Sequence, residues 1–156
     1  MRYPSLKTLT AIFLIALLAA CSPANKALKH SKSLAKSGLT YEATLAALDA
    51  VEAKPNYKKA MVQVKNLGTK EIQNQMREFN ELRVAGETVG ALDAYVRAWD
   101  IEQRAATIGV LLTGTSAHAS DFANLRIGYI QELDGKGQAA LQSEDFTAAE
   151  RIYVRA

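Results

Sequence analysis

Cysteine occurs once in these 156 residues, tryptophan once and histidine twice. A lone cysteine excludes a disulfide framework and a cysteine-built zinc site. The histidines, His30 and His118, have no carboxylate pattern beside them, so neither a catalytic pair nor a metal site is expected. HExxH, P-loop, GxSxG and glycine-rich dinucleotide signatures are all missing. Gly135-Lys136-Gly137 lies inside a helical pattern and lacks a phosphate-cradling loop. Proline is scarce: after Pro4 and Pro23, only Pro55 interrupts the chain. A hundred further residues without proline favour helices over a sandwich. No apolar run reaches the roughly 18 residues that a membrane-spanning helix needs. Lys and Arg number 19 against 16 Asp and Glu, without an aromatic-interleaved basic motif, so nucleic acid is not an expected partner. These absences argue against an enzyme and against any metal or other cofactor.

The N-terminus is the most informative stretch. Arg2 and Lys7 precede an apolar core of about a dozen residues, the length of a secretory signal. The core ends in Leu18-Ala19-Ala20-Cys21. This resembles the lipobox of bacterial lipoproteins. The resemblance implies cleavage after residue 20 (domain 1–20 as signal peptide) and a Cys21 bearing diacylglycerol and palmitate-like acyl chains. Ser22 at the next position, with no Asp there, implies the outer membrane, periplasmic face. Residues 21–156 then form the mature domain, with 17 basic against 16 acidic side chains.

Apolar spacing is helical throughout. The stripes Leu45/Leu48/Val51, Ile72/Met76/Phe79/Leu82, Leu92/Val96/Trp99 and Phe122/Leu125/Tyr129/Leu133 predict an all-α fold. Helices are expected near 24–37, 40–54, 57–84, 88–111, 118–142 and 146–156. Gly38 suits a left-handed helix end, Thr40 a cap, and Pro55-Asn56 a break. Gly68 is expected to bend the third helix, and 113–116 to form an open loop.

One register recurs three times. Gly38 is followed by Ala43, Ala47 and Ala50; Gly86 by Ala91, Tyr95 and Ala98; Glu144 by Ala149, Tyr153 and Ala156, at offsets of five, nine and twelve. A turn followed by small residues on one helix face lets two helices of a hairpin approach closely. This resembles the second helix of a tetratricopeptide repeat. The resemblance implies stacked antiparallel hairpins, a TPR-like α-solenoid of irregular repeat length, incomplete at the C-terminus. The copies are 48 and 58 residues apart rather than the family's 34 or so, and the last stops at Ala156, mid-pattern. That stop leads us to expect a truncated chain.

In that family the first helix of each hairpin lines a concave groove. The resemblance therefore implies partner-binding roles for Lys32, Gln73, Asn80, Arg83 and Gln131. Lys26, Lys29, Lys32 and Lys36 form a basic face close to the anchor, either simply solvated or near anionic head groups. The expected function is a lipid-anchored periplasmic adaptor or scaffold in envelope biogenesis. Its partners would be an envelope protein or peptide segment and, through the anchor, the membrane. The alternatives are an anchoring or accessory region of a larger envelope enzyme, and a helical spacer without a groove.

Overall fold

The computed structural model describes residues 22–154. The lipobox, the expected signal segment and Ala156 lie outside them. The described residues form helices α1 (Pro23–Lys36), α2 (Thr40–Glu52), α3 (Lys58–Ala85), α4 (Thr88–Thr107), α5 (Ala119–Gln142) and α6 (Phe146–Tyr153). A 3-10 turn, Ser116–His118, precedes α5, and no strand occurs among the described residues.

The three joints that open the repeated register share one backbone geometry, which the end of α4 (Thr88–Thr107) at Gly109 also adopts. The residue after the helix turns left-handed: Gly38 at φ 80°, Gly86 at φ 78° and Glu144 at φ 61°. The next amide closes back across the helix end. Leu39 donates to the Leu34 carbonyl, Glu87 to Leu82 and Asp145 to Ala140, at 3.1, 2.9 and 2.9 Å. Those bonds satisfy carbonyls that a helix end would otherwise leave without partners. In each case the small residue of the repeated register follows at once: the amides of Ala43, Ala91 and Ala149 bond Leu39, Glu87 and Asp145. Glycine adopts this conformation freely, whereas Glu144 does so at a cost of about 1 kcal/mol.

The chain divides into two compact units. One ends at Ile72 and takes in Asp100–Thr113; the other comprises Gln73–Trp99 and the chain from Gly114 onward. α3 and α4 supply residues to both.

In the first unit, α2 is buried along Ala43, Ala46, Ala47, Ala50 and Val51, so α1 approaches its backbone closely. The Ser31 hydroxyl, itself buried, donates to the Ala43 carbonyl at 2.6 Å. Leu48, Val64, Ile72 and Ile101 are fully buried, each contributing about 1.5–3 kcal/mol. Thr40, expected to cap α2, does not: Leu39 holds the cap position, and the Thr40 hydroxyl donates to the Glu71 carboxylate instead. Arg104 bridges Asp49 at 2.8 Å and Glu52 at 3.0 Å. Partial burial lowers the Arg104 pKa, but the hydrogen bonds and charges of the two carboxylates outweigh it and hold the guanidinium above its ordinary value.

α4 stops at Thr107, short of the expected 111. Gly109 turns left-handed at φ 74°, and the Val110 amide closes onto the Ala105 carbonyl. The turn delivers Leu112 to Gly68: a Cβ at 68 would lie 2.6 Å from the Leu112 Cδ1. Gly68 therefore makes room for a neighbour.

In the second unit Phe79 is fully buried, its ring edge-on to Tyr95 (centroids 5.7 Å apart) and to His118 (5.9 Å). The segment expected as an open loop is anchored here, because Thr115 is buried and its carbonyl accepts from the Tyr95 hydroxyl at 3.4 Å.

Candidate functional site

α4 carries two apolar faces in the second unit. Ala91, Ala94, Tyr95 and Ala98 are buried. The bulkier stripe, Leu92, Val96 and Trp99, sits one residue further round and stays partly in solvent, with Val96 50% and Trp99 49% exposed. The bulky stripe is thus a surface. Small residues pack because they let helices come close; the large ones beside them are left outside.

That surface is one wall of a trough, and α5 forms the other. The rings of Tyr95 and Phe122 stack with centroids 4.0 Å apart and planes 12° off parallel, making the floor. Above it lie two adjoining cavities of about 380 and about 210 Å³. Both are lined by Val96, Phe122 and Arg126, the first adding Trp99 and the second Leu92, Tyr129 and Ile130. Asp93 and Arg126 supply one charge of each sign at the rim, and no ion pair engages either among the described residues. Among the described residues, large apolar side chains in solvent are concentrated in this unit, which holds ten of the thirteen exposed ones.

The residues singled out from the sequence are placed as follows. Gln73, Asn80 and Arg83 share α3 in the second unit, Gln131 is exposed on α5, and Lys32 is exposed on α1 in the first unit. Gln73 is also exposed. The Asn80 amide donates to the Met76 carbonyl of its own helix at 3.0 Å. Arg83 lies 3.9 Å from Asp121 and about 6.0 Å from the centre of the Phe79 ring, which ties α3 to α5. Arg77 and Glu81 pair loosely at 4.0 Å, both largely in solvent.

The trough was not among the sequence-based candidates. Its signal was nonetheless present: an alanine face and a bulky face side by side on one helix, where only one can be core.

No group of three or more His, Cys, Asp or Glu able to hold a metal occurs among the described residues, and none of their helices is long and apolar enough to cross a membrane. Comparison with protein families, with curated proteins and with solved structures returns no match.

Proposed function

We propose that this chain is a lipid-anchored periplasmic adaptor, held at the outer membrane by an acylated Cys21, that binds a segment of an envelope protein in the α4–α5 trough. The helices would follow a TPR-like solenoid plan, one hairpin per repeat of irregular length. The observation that carries the reading is the trough itself: Val96 and Trp99 stand half in solvent over a stacked Tyr95–Phe122 floor. Aromatic anchors in a concave surface with a sparse charged rim are what a protein interface needs at its centre. The buried alanine five positions after each of Gly38, Gly86 and Glu144 supports the repeat. Leu18-Ala19-Ala20-Cys21 supports the anchor.

The test is a photo-crosslinking residue at Val96, with the exposed Val62 of the first unit as reference, in cells fed labelled palmitate. The expected result is a discrete adduct from position 96 alone, lost when Trp99→Asp is added, and label that disappears with Cys21→Ser. Equal or absent adducts at the two positions would leave a spacer without a groove. Label retained in Cys21→Ser would remove the anchor.

A further inference from the structure

Charge is divided unevenly between the two units. From Ser22, the first holds ten Lys and Arg against six Asp and Glu, a balance of +4; the second holds seven against ten, a balance of −3. Two stretches carry the excess. No acid occurs between Ser22 and Tyr41, nor between Ala53 and Lys70, and together they contain nine lysines.

The fold brings the two stretches to one concavity. α1 and the start of α3 enclose a cavity of about 370 Å³ lined by Asn25, Leu28, Lys29, Lys32, Tyr57 and Lys59. Its volume falls within the range of small-ligand sites. The Tyr57 hydroxyl donates to Oδ1 of Asn25 at 2.7 Å, tying the walls together and leaving the amide NH2 of Asn25 as a donor. Lys54 lies over the Tyr57 ring, its Nζ 5.2 Å from the ring centre. Three lysine side chains thus line one pocket, and among the described residues no carboxylate pairs with Lys29, Lys32 or Lys59. Like charges so gathered repel each other, and an anion between them reverses the sign of that energy.

We propose that this pocket binds a phosphate-bearing anion, gripped by Lys29, Lys32 and Lys59 with Leu28 beneath. An anionic phospholipid head group is the source that fits a chain anchored a few residues upstream. That source rests on the anchored reading; the anion site does not. Lys26 and Lys36 share α1 with two of the three lysines but do not line the pocket. This separates a pocket from a generally basic face.

The full chain, in the N-terminal form the cell gives it, is held in neutral detergent micelles doped with phosphatidylglycerol or with phosphatidylcholine, and separately given inorganic phosphate. The acetylation rate of each lysine is read by mass spectrometry. Phosphatidylglycerol should slow Lys29, Lys32 and Lys59 several-fold and leave Lys36 and Lys65 alone; phosphatidylcholine should slow none. In Lys29→Gln/Lys59→Gln, protection of Lys32 should vanish, and in the Arg/Arg pair at those positions it should persist. Inorganic phosphate protecting the same three as well as the lipid does would keep the site and discard the lipid source. Equal slowing of every lysine, or none at these three, overturns the proposal. The intact mass of the N-terminal peptide reports the lipid on Cys21 separately, so the two ideas fail independently.

Discussion

The phenol ring of Tyr153 occupies the space that a side chain at position 137 would need. A Cβ on Gly137 would stand 2.5 Å from the ring Cζ and 2.7 Å from Cε2. Gly135, two residues earlier on the same helix, has nothing within 4 Å of such an atom. Gly135→Ala should therefore stabilise by about 1 kcal/mol, the helix-propensity gain alone. Gly137→Ala should lose that gain to overpacking of about 1–3 kcal/mol, and amide exchange in α6 should quicken. Equal stabilisation by the two variants in thermal melts would show that Tyr153 does not pack there.

Gly68 and Leu112 form the matching pair in the first unit. Gly68→Ala should forfeit the gain of about 1 kcal/mol that a helical alanine brings, because the Leu112 side chain must turn aside, and Leu112→Ala should cost about 2–5 kcal/mol through the cavity it leaves. The double variant should cost at least about 1 kcal/mol less than the sum, because the two share one volume. Strict additivity in denaturant titrations would break the link between the end of α4 and the notch in α3.

The two apolar faces of α4 differ in what they hold up. Phe79→Ala, in the core beneath Tyr95, should cost about 3–5 kcal/mol. Trp99→Ala should cost about 1 kcal/mol or less, since half the indole is already in water. A large loss of melting temperature from Trp99→Ala would return the trough to the core.

Tyr153 also reports on pH. Loss of solvation, then the charge of Asp134 and a 3.4 Å hydrogen bond to its Oδ1, raise the phenol's pKa above its ordinary value. A tyrosine in the unfolded chain ionises near about 10. The stability held in this phenol is therefore whole below that pH and is lost as pH climbs through the higher folded value. Alkaline absorbance titration should lose a late-ionising component in Tyr153→Phe. Unchanged titration in that variant would mean that Asp134 does not act on the ring.

Much of the fold could be read from small residues. Ala43, Ala91 and Ala149 mark where helices meet, and the structure buries all three. The end of α4 was hidden because Ile108, Val110, Leu111 and Leu112 prolong an apolar pattern through Gly109. Spacing alone cannot tell a helix that continues from a turn that sends its leucine across to Gly68. The trough was hidden for another reason. Helical spacing marks Leu92, Val96 and Trp99 as a stripe without saying whether it is core, and Ala91, Ala94 and Ala98 claim the buried contact. The lysine pocket joins residues some thirty positions apart, and its basic face on α1 was legible where its partner, Lys59, was not.

Each of the three matching joints is closed by atoms within a handful of positions, Leu34 to Leu39, Leu82 to Glu87 and Ala140 to Asp145. Bends of that kind need nothing from distant sequence, and short-range closure is fast. A strand threaded end-first through a narrow passage can therefore recover its corners one at a time in order of arrival, each before the next has emerged.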